Sequence, residues 1–95
     1  MLVPATKYRD PEAALAFLTD VLGMVPHAVY RDEAGKIVHA QLCIGQGMLM
    51  IGPEADTPFQ KFMIAPAEVG NRETTTVYAV VADVAERFER VRAAG

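Results

Sequence analysis

Apolar and polar residues change rhythm several times along the chain, and each change marks an element. Residues 2–8 are short and β-compatible, with Pro4 confining the strand to a sheet edge or to its own start. Asp10 followed by Pro11 is a helix start: an acidic N-cap ahead of a proline at the first helical position. Beyond it Ala13, Ala14, Phe17, Leu18, Val21 and Leu22 recur at helical spacing, and Gly23 supplies the stop. Residues 25–31 read as a second strand and Asp32 to Gly35 as a tight turn. The clearest alternation runs over residues 36–44. Val38, Ala40, Leu42 and Ile44 fall on one face, and His39, Gln41 and Cys43 on the other. Gly45-Gln46-Gly47 is a hairpin turn, and residues 48–51 return from it.

The rhythm then breaks. Residues 52–73 hold Pro53, Pro58, Pro66 and Gly70 around an apolar cluster of Phe59, Phe62, Met63 and Ile64. So long a connection in a compact domain is expected of a lid, a binding loop or a disordered stretch. Residues 74–82 are rich in β-branched side chains and predict a strand. Asp83 then caps a helix bearing Val84, Phe88 and Val91, with Gly95 at its end. The predicted order is β-α-β-β-β, a loop, then β-α. Strand, Asp and amphipathic helix occur twice, around Asp10 and around Asp83, which suggests an internal duplication. The predicted organisation is one α+β domain: a βαβββ module over 1–52, a long loop over 53–73, and the β-α start of a second module over 74–95. Short turns between the strands after the first helix imply a mixed or antiparallel curved sheet with helices on one face.

Composition narrows the function. At 95 residues the chain is one domain, and 52% hydrophobic with 22% charged residues supports a packed core. A domain of this size buries only about 60% of its unfolded surface, so a lone copy has little stability to spare. A net charge of −3, with its nine Lys and Arg scattered, argues against nucleic acid as a partner. No apolar run reaches the length needed to span a bilayer, and no leader-like segment opens the chain. A single cysteine, Cys43, forms no intrachain disulfide, and a cytoplasmic location is expected.

Residues 8–24 (YRDPEAALAFLTDVLGM), 39–53 (HAQLCIGQGMLMIGP) and 77–95 (VYAVVADVAERFERVRAAG) together resemble the glyoxalase / bleomycin-resistance / extradiol-dioxygenase superfamily, also called vicinal oxygen chelate. The His-Ala pair that opens the hairpin resembles its PhnB-like, glyoxalase-like branch. The resemblance spans essentially the whole chain. It implies βαβββ modules that form a cup-shaped sheet, with a cavity enclosed by a full domain or by a pair of subunits. Three further strands are expected after Gly95. A cut product fits this better than an evolved minimal domain, and an open sheet edge would invite a second chain.

Metal-dependent members of that superfamily hold the ion with one His or Glu on each of four strands. Carried over, these positions fall on Val3, Met50 and Val77, with the last beyond residue 95. None is a nitrogen or carboxylate ligand, and a thioether is a poor one for Zn, Ni, Mn or Fe(II). A slip of one residue brings in Leu2, Pro4, Leu49, Ile51, Thr76 or Tyr78, which are no better. No metal site and no cofactor is therefore expected.

If the helices cover the Val38/Ala40/Leu42/Ile44 face, the other face of the sheet looks into the cup. His39, Gln41 and Cys43 lie there, to be joined by Met48 and Met50 and by Val3, Ala5 and Lys7. Apolar walls with a few polar groups suit a small-molecule pocket. Of these, His39, Gln41, Cys43, Met48, Met50 and Lys7 are the candidate substrate-binding residues. Each has a plainer reading: His39 and Gln41 as hydrogen-bonders within the sheet, Cys43 as a small buried hydrophobe, the methionines as packing. Tyr8 and Tyr30 lack a distinguishing context, His27 reads as solvated, and the Arg and Glu residues of 86–92 read as pairs on a wet helix face. Three functions follow. The first is a metal-free protein that binds a small, partly apolar molecule in a cup completed by a homodimer. The second is a metal-dependent lyase, isomerase or dioxygenase, with His39 and Glu54 the groups to suspect. The third is a strand-pairing module without a pocket.

Overall fold

The computed structural model describes residues 1–55 and 57–95; Asp56, within the expected long loop, lies outside the described residues. Strand β1 (Ala5–Tyr8) leads into helix α1 (Pro11–Ala16), whose last turn widens into a π-helical turn over Phe17–Val21. Three strands follow: β2 (Val25–Arg31), β3 (Ile37–Ile44) and β4 (Gly47–Pro53). Short 3₁₀ turns occupy Pro58–Phe62 and Pro66–Val69, and helix α2 (Val84–Ala94) ends the chain.

The first helix starts as its sequence dictates. The Ala13 amide donates to Asp10 Oδ1 at 3.1 Å, with Pro11 occupying a position where no amide donor is needed. Its end is a left-handed cap: Gly23 has φ of +84°, and the Met24 amide reaches back to the Leu18 carbonyl at 2.8 Å. The wider last turn shows in the Leu22 amide donating to Phe17 O, five residues back, at 3.0 Å.

The sheet order is β1-β4-β3-β2, with β1 parallel to β4 and the other pairs antiparallel. As Pro4 requires, β1 is an edge strand. Ile44 pairs with Gly47, so β3 and β4 are joined by the two residues Gly45-Gln46, and Gly45 takes the positive φ (+56°) that such a tight hairpin demands. Between β2 and β3 the Asp32 carboxylate closes the turn by accepting from the amides of Ala34 and Lys36, both at 2.9 Å.

Leu18 and Met24 pack on the sheet against Ile37, Ala40, Leu42 and Ile51 to form the core. This corrects one expectation of the β3 alternation. Ala40 and Leu42 face the helix, but Val38 is 49% exposed and Ile37 takes its place inside. The cause is a bulge: Tyr30 pairs with His39 and Arg31 with Ile37, so Val38 is the extra residue and the facing parity changes there. A second irregularity lies between Pro26 and Ala28, where His27 is exposed.

The second β-α repeat departs further from expectation. Residues 74–82 form no strand, and Tyr78 is 92% exposed. Strand propensity supplies only half of a strand. The other half is a partner offering ladder hydrogen bonds, and among the described residues none pairs with this segment. Helix α2 forms, but Val84 and Phe88 are 65% and 62% exposed and none of its residues is buried. Asp83 stands at the N-cap position without making a side-chain cap bond. Its carboxylate instead accepts from Arg87 Nε at 2.7 Å.

The charged face of α2 corrects the sequence reading as well. Arg92 pairs with Glu89 and Arg87 with Asp83, but Arg87 and Arg90 also reach backbone carbonyls of the first helix. Arg87 Nη1 donates to Leu22 O at 2.6 Å and Arg90 Nε to Val21 O at 2.9 Å. These are end-of-helix carbonyls that the first helix leaves unpaired, and cations suit that negative pole. Helix α2 is thus held to the end of the first helix by guanidinium groups rather than by apolar packing.

Candidate functional site

Strand register decides which side chains share a surface. Gln41 pairs with Met50, Cys43 with Met48, and Ala5 with Met50. Lys7 pairs with Gly52, and Tyr30 with His39. The core pairs Ala40 with Ile51 and Leu42 with Leu49 occupy the intervening positions and face α1. By the alternation of strand side chains, His39, Gln41, Cys43, Met48, Met50 and Lys7 therefore lie together on the face turned away from the helix. All six are half-buried, whereas the turn residues Gly45, Gln46 and Gly47 beside Met48 are exposed.

Their chemistry is mixed. Gln41 Nε2 lies 3.3 Å from His39 Nε2. With the amide donating, the imidazole Nε2 accepts and the ring proton sits on Nδ1. The Tyr30 ring tilts over His39 with centroids 5.9 Å apart, which fixes the imidazole from its other side. Gly52 leaves the Lys7 ammonium uncrowded: a Cβ built there would sit 3.7 Å from Lys7 Nζ. The surface thus has two thioethers and a thiol beside one amide, one imidazole and one cation. It fits a partly apolar molecule carrying a carbonyl or an anionic group.

The three positions carried over as metal positions do not meet as a ligand set. Met50 is in β4, Val3 precedes β1, and Val77 lies in the unpaired segment. Among the described residues no group of three or more His, Cys, Asp or Glu side chains is placed to hold an ion. Glu54 is engaged elsewhere: its Oε1 accepts from the Ala65 amide at 3.0 Å and anchors the loop after β4.

A second feature lies on the helix-bearing side of the sheet. A cleft of about 880 Å³ opens between the first helix, the β1–β4 edge of the sheet and residues 76–80. Leu18, Leu22, Met24 and Leu49 give it apolar walls, and Thr6 and Tyr8 reach into it from β1. Burial pushes the Tyr8 phenol above its ordinary range, so it stays neutral. Of the six candidate residues only Met48 borders this cleft. Sequence reasoning missed Thr6 and Tyr8, although their parity relative to Ala5 and Lys7 already separated them from the other face.

Comparison with known proteins agrees with this architecture. The model of the family described as Glyoxalase/Bleomycin resistance protein/Dioxygenase superfamily matches residues 7–95. Among solved structures the chain is similar to TioX from Micromonospora sp. ML1, at 25% sequence identity and a TM-score of 0.64. That likeness covers 99% of this chain and 71% of TioX. No curated protein matches the chain.

Proposed function

We propose that this chain, which belongs to the Glyoxalase/Bleomycin resistance protein/Dioxygenase superfamily, binds a small, partly apolar molecule without the help of a metal ion. The reading rests on one observation above the rest. Strand register gathers Lys7, His39, Gln41, Cys43, Met48 and Met50 on a single half-buried sheet face that the helices leave open. The methionines and Cys43 offer an adaptable apolar floor. Lys7, Gln41 and His39 offer polar contacts that would orient a carbonyl or an anionic group. In a homodimer the second copy would supply the facing wall and turn the surface into a pocket.

Thermal melts with and without Zn²⁺, Ni²⁺ and Mn²⁺, run beside light scattering, test the proposal. The expectation is a dimer whose melting temperature is indifferent to the ions. It should rise with small aromatic carboxylates, and less so in Met50→Glu, where an added carboxylate repels them. A strong stabilisation by one of the metals at stoichiometric concentration would overturn the metal-free reading. A monomer at all concentrations would overturn the shared pocket.

A further inference from the structure

We propose that the cleft on the helix side of the sheet is a second binding site, selective for a small apolar cation: an amine carried on an aromatic or branched aliphatic body. The inference is independent of the proposal for the opposite face, because the two surfaces share only Met48.

Size sets the first limit. About 880 Å³ is within the range of small-molecule pockets, which run from roughly 300 to 1,000 Å³. Leu18, Leu22, Met24 and Leu49 are the inner walls, so an apolar body displaces water from a surface that gains by losing it. Charge sets the second limit. Among the described residues lining the cleft, Glu73 alone carries a formal charge at neutral pH. Its carboxylate has a single hydrogen-bond partner among the described residues, the Thr76 hydroxyl at 3.3 Å, and no cation. An ammonium group therefore finds a counter-charge at this site, and an anion finds repulsion. Tyr8 and Tyr78 add aromatic faces, which attract cations, and the neutral Tyr8 hydroxyl remains available as a hydrogen-bond partner.

The covering segment makes entry inexpensive. Residues 76–80 line the cleft, and no backbone hydrogen bond ties them to another described part of the chain. The strap passes close to the hairpin backbone, where a Cβ built on Gly45 would lie 3.1 Å from Val80 O. This strap can shift to admit a ligand without breaking a ladder, and it gains order when apolar contacts form beneath it.

The probes are 1-naphthylmethylamine and 1-naphthylacetate, equal in ring and opposite in charge, titrated into the whole chain and followed by amide NMR and hydrogen exchange. The amine should perturb Thr6, Tyr8, Leu49 and residues 76–80 and slow exchange in the strap. It should bind about two- to five-fold more tightly than the acetate, as a partly exposed ion pair allows. Glu73→Gln keeps the hydrogen bond to Thr76 and should bring that ratio to about one. Tyr8→Phe should weaken both probes. Equal affinities in the native chain, no saturable binding of the amine, or shifts confined to Lys7, His39 and Met50 would each overturn the proposal. Preference for the acetate with shifts at Lys7 would support the opposite-face site while refuting this one.

Discussion

The chain writes strand, Asp and amphipathic helix twice, and the two copies end differently. Around Asp10 the copy is fully realised. β1 pairs with β4, the Asp10 carboxylate caps the helix, and Leu18 and its neighbours are buried on the sheet. Around Asp83 the segment has no ladder among the described residues, the carboxylate turns to Arg87, and Val84 and Phe88 of α2 stay exposed. The helical signal is nearly equal in both. What differs is a partner surface: α1 has the Ala40/Leu42/Ile51 face beneath it, whereas α2 reaches only the carbonyl end of α1 through two arginines. Helices in proteins draw most of their stability from tertiary packing, and the second copy shows what remains without it.

Truncating an apolar residue in each copy should give the largest contrast. Leu42→Ala removes a side chain that is 0% exposed and should cost about 2–5 kcal/mol in chemical denaturation. Phe88→Ala in α2 should change stability by no more than about 0.5 kcal/mol. A Phe88→Ala loss as large as that of Leu42→Ala would mean that α2 is buried in solution, and the comparison would fail.

A smaller effect should follow from releasing α2. Arg87→Ala removes both the ion pair with Asp83 and the bond to Leu22 O, the latter charge-assisted and worth about 1.5 kcal/mol. Hydrogen exchange over residues 84–94 should accelerate while the amides of β3 and β4 hold their protection. Uniform acceleration across the sheet would show that the two copies unfold as one unit.

The smallest contrast separates the two aspartates. Asp10→Ala should cost about 1 kcal/mol through loss of the cap. Asp83→Ala should cost less, because that side chain caps nothing. Acid adds a signature. The Arg87 hydrogen bond holds the Asp83 carboxyl below its usual range. Its contribution is therefore present above the unfolded carboxylate pKa and fades as pH falls through the depressed folded value. Carboxyl NMR titration should show Asp83 moving back toward an ordinary carboxylate in Arg87→Ala. An unchanged titration would remove Arg87 as the cause.

Part of the candidate site is legible in the sequence. The alternation over residues 36–44 already places His39, Gln41 and Cys43 on one face. The register that sets Gln41 opposite Met50 and Cys43 opposite Met48, however, comes from a loop of two residues, one shorter than the Gly45-Gln46-Gly47 turn that the sequence suggests. The place of Lys7 depends on a parallel pairing between β1 and β4, segments distant in sequence, which no local pattern dictates. The helix-side cleft was not legible at all. It is bounded by β1, α1 and residues 76–80, which no local pattern brings together.

The sequence by itself determined what is local. Asp10-Pro11 and Gly23 bound the first helix, the Asp32 turn and the Gly45 hairpin join the strands, and side-chain parity separates two sheet faces. These follow from hydrogen bonds and dihedral limits within a few residues. Only the tertiary structure decided the rest. A bulge exchanged Val38 for Ile37 in the core, the carbonyl end of α1 drew the guanidinium groups of Arg87 and Arg90 to it, and residues 74–82 found no ladder among the described residues. Each of these outcomes depends on a partner remote in the chain, and propensity carries no information about whether that partner is in place.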